Sequence, residues 1–281
     1  MARGSVTIIG CGWLGRQLAQ RLLSEGYQVR GSTRTPAKLP ELEQIGIKAH
    51  QLDLSRTASI DATRSEEQEQ RLWEADQLVI AIPPGRGAEE PVSQYGASVM
   101  SALLAYRRAT TSGRVLFTSS VGVYGDMSGQ VTESTAITSP SPRQARLLLA
   151  ESQVIAQSQR PHLILRLGGL YGKDRDPGKQ LAGRSGLARG EAPTNLVSGA
   201  RVVEVMTALL HAPFWQYNGV VNVVDPTHPS RRERYTAYAK THDLPLPDFA
   251  SGGAEGKLVG NDPDIVEKLN LSGAFSSIQN A

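Results

Sequence analysis

Apolar positions along the chain switch between two periods. Val6-Thr7-Ile8-Ile9 is a β-branched run of the kind that forms strands, and it stops at Gly10-Cys11-Gly12-Trp13-Leu14-Gly15. From there Leu14, Leu18, Ala19, Leu22 and Leu23 repeat at three and four, which is the helical period, and the pattern closes at Gly26, a natural helix stop. Further short apolar runs predict strands over Tyr27–Ser32, Ile47–Leu52 and Gln77–Ile82, from Val115, and over Leu163–Leu167. The run Gln77–Ile82 is apolar almost throughout, as a parallel strand buried on both faces should be. Between the strands, residues 56–75 are polar with helical stretches. Longer helices are predicted over Val92–Ala109, with Val99, Met100, Leu103 and Leu104 on one face, and over Pro142–Gln157. Strand and helix alternate from residue 5 to 167, which predicts an α/β fold with a doubly wound parallel sheet.

The pattern weakens after residue 167. Residues 173–195 are rich in Gly, Arg and Lys without clear periodicity, and read as a long loop or lid beside a site. Val202–Leu210 reads as helix, and Gly219–Val224 as a strand that returns to the sheet. Ser230, with Glu233 three residues on, caps a helix through Lys240. A short helix is expected near Asp264–Leu269. The expected division is a nucleotide-binding domain over 1–167 and a smaller C-terminal, substrate-binding part over 168–281.

The first turn carries the chemistry. Gly10, Gly12 and Gly15 have the G-x-G-x-x-G spacing, after a strand and at the opening of a helix, which is the context that makes the spacing a dinucleotide-binding fingerprint of the Rossmann type. Gly10 allows the tight turn, Gly12 lets a pyrophosphate approach the backbone, and Gly15 lets helix and strand pack closely. The N–H groups opening the helix, through Trp13 and Leu14, point at the phosphates with the helix dipole behind them. A site built for NAD places Asp or Glu at the end of the second strand to hold the ribose 2′-hydroxyl. This chain has Ser32-Thr33-Arg34 there. Arg34 attracts a 2′-phosphate that a carboxylate would repel, so NADP is expected over NAD; the other role open to Arg34 is a solvated loop cation. Asp53, followed by Leu54, either reaches the adenine or caps the next segment. Ile82 and Pro83 end the fourth strand on the same edge, and Thr118 and Ser119 end the fifth. Ligands bind at this edge, so the turns at 10–15, 32–34, 83–85, 118–124 and 168–172 should surround one crevice.

Composition adds limits. The chain has 281 residues, 40% of them hydrophobic and 20% charged, enough apolar material for a core. The formal net charge is +3, and the arginines are scattered rather than in a stripe, so nucleic acid is not an expected partner. The single cysteine, Cys11, cannot form an internal disulfide. There is neither a signal-peptide segment nor a run of eighteen apolar residues, so a cytoplasmic protein with no membrane contact is expected. The expected partner is a small-molecule substrate.

These motifs, with Thr118-Ser119-Ser120…Val123-Tyr124-Gly125-Asp126, Arg166…Tyr171-Gly172 and Asn222-Val223-Val224-Asp225, resemble the short-chain dehydrogenase/reductase superfamily in its extended, epimerase/dehydratase-like form, and within it an atypical branch. The resemblance covers almost the whole chain. It implies a homodimer through the helices near 92–109 and 142–157. It also implies a Ser or Thr that orients substrate, matched by Ser120, and a Tyr whose phenol is lowered in pKa by a Lys four residues later. By position, Arg143 stands in place of that Tyr and Leu147 in place of that Lys. No tyrosine of the chain has a lysine four residues on. Tyr124 is the best replacement phenol; the other role open to it is to pack its ring on the sheet. Ser120 either meets substrate or only lines the cofactor pocket. The family also carries His and Asp after an Asn-Leu-Val run, where this chain has Ser198-Gly199-Ala200-Arg201. Two functions are therefore expected to compete: an NADP-dependent oxidoreductase or epimerase on a nucleotide-sugar-like molecule, and a non-catalytic NADP-binding sensor or regulatory protein.

Overall fold

Each apolar run of the first half becomes a strand, and each run of period 3.6 a helix. The computed structural model describes residues 3–54, 66–85, 91–157, 160–213, 215 and 217–276. Its elements begin β1 (Ser5–Ile9), α1 (Trp13–Ser24), β2 (Gln28–Thr33), α2 (Leu39–Gln44), β3 (Lys48–Gln51), α3 (Glu66–Trp73), β4 (Gln77–Ile80), α4 (Val92–Ala109), β5 (Arg114–Ser120) and β6 (Gly129–Val131). They continue α5 (Pro142–Gln157), β7 (His162–Leu167), β8 (Gly169–Tyr171), α6 (Pro177–Leu181), β9 (Leu196–Ser198) and α7 (Gly199–His211). The last are β10 (Gly219–Val223), α8 (Arg231–Thr241), β11 (Lys257–Val259), α9 (Pro263–Lys268) and α10 (Ser272–Ser276). Part of the polar stretch at 56–75 lies outside the described residues.

Seven strands form one parallel sheet in the order β10-β7-β5-β4-β1-β2-β3. Helices cover both faces. On one, Leu14, Leu18 and Leu22 of α1 and Val202, Val205 and Leu209 of α7 pack on the sheet; on the other, Val99, Leu103 and Tyr106 of α4 and Leu147 and Val154 of α5 do so. Both faces of the central strands are thus covered, which is why β4 is buried at every position. The capping box at Ser230 and Glu233 forms, each side chain bonding the other's backbone N–H. No helix among the described residues is long and apolar enough to cross a membrane.

The segment 173–195 is largely the loop expected of it, with one short helix inside. It contains α6, capped by Asp176, whose side chain accepts from Gly178 N at 2.7 Å, and α6 packs against α8. Five residues are too few for a 3.6-residue period to show. The paired strands β8–β9 and β6–β11, three residues each, were equally invisible to periodicity.

Candidate functional site

Chain order reverses at β1: β2 and β3 lie on one side of it, β4 on the other. A crevice of about 400 Å³ opens at this switch, beyond the carboxyl ends of the strands. Gly10, Gly12, Ser32, Thr33, Arg34, Asp53, Leu54, Ile82 and Pro83 all line it.

Close contacts exclude any other residue at Gly10 and Gly15. Gly10 has φ +100°, and a Cβ on it would lie 2.8 Å from the Ala81 carbonyl oxygen. A Cβ on Gly15 would lie 2.3 Å from the Gly10 carbonyl oxygen, so α1 reaches the turn only because that atom is missing. A Cβ on Gly12 would meet nothing within 4 Å: the backbone there faces open crevice. The first turn of α1 leaves the N–H groups of Trp13, Leu14 and Gly15 without intrahelical acceptors. Ser32 braces the turn, its Oγ accepting from Gly10 N at 3.2 Å and its carbonyl from Cys11 N at 2.7 Å. An uncovered glycine backbone at a helix N-terminus fits a pyrophosphate. Arg34 lies exposed at the mouth beside Thr35 and Lys38. Lys38 was not singled out from the sequence; its signal was a second cation in the short turn Pro36–Lys38 just past Arg34. Tyr95 and Ser98 of α4 were missed too, and they fix the walls by donating to the carbonyls of Ile82 at 3.0 Å and Leu54 at 3.1 Å.

The side chains of the other candidates lie elsewhere. Leu14 points into the core. Trp13 turns towards the C-terminal part: its indole N–H donates to the Lys173 carbonyl at 3.0 Å, its ring lies where a Cβ on Gly199 would stand, and Arg175 sits 5.3 Å above it. Thr118 Oγ1 donates to the Ile80 carbonyl at 3.4 Å. Ser119 is buried and donates to Glu151 at 2.6 Å. Ser120 is half-buried, and its Oγ accepts from Gly122 N at 3.0 Å. The Cys11 thiol is buried and pushed up to about 12 by that burial, so it stays protonated and packs against Gly31.

Tyr124 does not face the crevice. Its exposure is 0%, and its hydroxyl sits between the Asn222 Oδ1 at 2.9 Å, the Thr132 carbonyl at 3.0 Å and the Arg166 guanidinium, which donates to it at 3.0 Å. Burial raises the pKa of this phenol, while Arg166 lowers it. Arg166 also grips Glu151 with two bonds, at 3.1 and 2.7 Å. Sheet register makes this cluster: Ser119, Arg166 and Asn222 are direct partners on three neighbouring parallel strands. Glu133 closes it, accepting from the backbone N–H of Asn222 at 2.7 Å and of Asp262 at 2.8 Å. On α5, Arg143 is exposed, Leu147 is buried against Gly122, and Arg146 donates to the Pro84 carbonyl at 3.4 Å.

The model of the NAD(P)H-binding family matches residues 10–213, from the first glycine of the fingerprint through α7. The chain belongs to this NAD(P)H-binding family. The Escherichia coli K12 protein YeeZ is 32% identical over 253 residues, covering 90% of this chain and 89% of YeeZ. Among solved structures, a UDP-glucuronic acid 4-epimerase from Bacillus cereus, in complex with UDP-glucuronic acid and NAD, superposes with a TM-score of 0.74 at 18% identity, covering 95% of this chain and 93% of that one. An ADP-L-glycero-D-manno-heptose-6-epimerase from Helicobacter pylori superposes with a TM-score of 0.73 at 16% identity, covering 95% and 90%. The family member therefore has the Rossmann fold of the epimerases, and its likeness to YeeZ runs over nearly the whole chain.

Proposed function

We propose that the chain is an NADP-dependent oxidoreductase or epimerase acting on a nucleotide-sugar-like small molecule. One observation carries the cofactor choice. Arg34 and Lys38 flank the crevice mouth where β2 ends, and the end of that strand, Ser32-Thr33, has no carboxylate. Two cations there favour a 2′-phosphate. The turn from Gly10 to Gly15 takes the pyrophosphate, and Asp53, Leu54, Ile82 and Pro83 wall the rest of the nucleotide. When bound, a nicotinamide nucleotide supplies reversible hydride transfer.

The substrate class rests on the folds that superpose, which act on nucleotide sugars. Ser120, half-buried at the end of β5, orients the reacting hydroxyl or carbonyl. Tyr124 acts through structure rather than chemistry, because Arg166 and Asn222 already engage its hydroxyl. The buried Leu147 supports the second reading, a non-catalytic NADP sensor, since an apolar side chain there holds no ribose and moves no proton.

Calorimetric titration with NADPH and NADH, on the wild type and Arg34→Ala, tests the reading. Charge-assisted hydrogen bonds contribute about 1.5–3 kcal/mol, so NADPH affinity should fall roughly 10- to 100-fold while NADH affinity stays unchanged. Equal loss for both nucleotides, or no binding of either, overturns it. Turnover of a nucleotide sugar by the NADP-loaded protein separates enzyme from sensor.

A further inference from the structure

A second pocket, of about 160 Å³, lies beyond the Tyr124-Gly125 turn, between that turn and the C-terminal strand β11. Arg189, Arg231 and Lys257 line it, and the one carboxylate in its wall among the described residues is Asp126. Asn195 sets the pocket's shape. Its side-chain amide donates to the Lys257 carbonyl at 2.9 Å and accepts from Val259 N at 2.8 Å, clamping β11 in place. Lys257 Nζ then reaches in and donates to the Gly125 carbonyl. Arg189 donates to the Glu255 carbonyl at 2.9 Å and pairs at 3.3 Å with Asp126, whose side chain is 94% exposed and well solvated.

Three observations mark the pocket as short of negative charge. First, Arg231 Nε is buried and has no hydrogen-bond partner among the described residues. A buried donor without a partner is a cost that folded proteins seldom carry unless something else satisfies it. Second, three acids of the neighbouring segments are committed elsewhere, Glu191 to Arg232 at 2.7 Å, Asp176 to Arg234 at 2.8 Å and Asp225 to Arg201 at 3.0 Å, while Glu255, just before the wall residue Gly256, is exposed to water. Third, Lys257 has its pKa lowered by burial, against the pull of Asp126 and with the repulsion of Arg189 and Arg143. A group held among like charges in this way gains from a bound anion. Arg143 thus adds positive potential at the position where the family resemblance expects a catalytic phenol.

We propose that this pocket is an oxyanion subsite, which takes a phosphoryl or carboxylate group of the substrate on Arg231 and Lys257. The assignment deepens the function proposed above and rests on it for the statement that the ligand is substrate.

The test uses the full chain at constant ionic strength. Orthophosphate and malonate are titrated into the wild type, Arg231→Gln, Lys257→Met, Lys257→Arg and Arg34→Ala, with heat as the readout and thermal melting as the check on folding. Saturable binding of one or both anions is expected in the wild type and in Arg34→Ala. It should weaken by about tenfold or more in Arg231→Gln and Lys257→Met, and persist in Lys257→Arg, which keeps the charge. Phosphate alone binding assigns a phosphoryl group; malonate alone assigns a carboxylate. Binding that survives both neutral variants, or is lost only in Arg34→Ala, overturns the subsite. NADPH is titrated separately. A chain that binds NADPH but neither anion loses the subsite alone, and one that binds anions through Arg231 but no NADPH loses only the nucleotide reading.

Discussion

The crevice at the β1–β4 switch and the polar cluster at Tyr124 use opposite means of holding their shape. The crevice is made of backbone and exposed cations: glycines whose missing Cβ atoms leave room, and Arg34 and Lys38 in water at its mouth. The cluster is made of side chains in the interior: Glu151 at 3% exposure, Arg166 at 6% and Asn222 at 0%. A site of the first kind can change its ligand without touching the core. A network of the second kind carries stability, because each member leaves a buried partner unsatisfied when it is lost.

The largest expected effect breaks the cluster. Glu151→Gln removes the charge opposite buried Arg166 and should cost about 3–5 kcal/mol in urea or thermal unfolding. A cost under about 1 kcal/mol would mean that water reaches Arg166 and that the interior contrast is wrong.

Next comes a pair within the crevice. Gly15→Ala places a methyl group against the Gly10 carbonyl and should destabilise the protein by about 1–3 kcal/mol. Gly12→Ala meets open space, so its stability should stay within about 0.5 kcal/mol while nucleotide binding weakens. If the two variants melt alike, the glycines do not have the separate roles assigned to them.

The smallest effect is a pH dependence. Burial raises the pKa of Glu133, and hydrogen bonds from Asn222, Asp262 and Asn261 only partly offset it. The folded state therefore holds the Glu133 proton more tightly than the unfolded chain does. Its contribution is fully present below the ordinary glutamate range and is lost as pH rises through the folded pKa. Glu133→Gln should flatten this part of the stability profile, read from melting temperature against pH. A profile with unchanged slope would remove Glu133 from the account.

The contrast also governs what could be read in advance. Gly10, Gly12 and Gly15 were legible because their requirement is local: a turn, a close approach and a helix start lie within six residues. Arg34 was legible for the same reason, sitting a few positions past a strand end. The bounds of α4 and α5 came directly from the 3.6-residue period over sixteen residues or more. Tyr124 could not be placed this way. Its sequence context marks a loop after β5, and nothing near it announces Arg166 or Asn222, 42 and 98 residues away.

By itself, the sequence determined the alternation of strand and helix, the glycine turn at the end of β1, the absence of a carboxylate at the end of β2, and membership of a nucleotide-binding fold. Tertiary structure alone decided which parallel strands became neighbours and in what register. Parallel strands are joined by long crossovers, so the partner of a residue is set by packing across the sheet and not by chain distance. That register set Ser119, Arg166 and Asn222 side by side and drew the Tyr124 hydroxyl into the interior. The docking of β11 on β6, through Asn195, then brought Lys257 to Gly125.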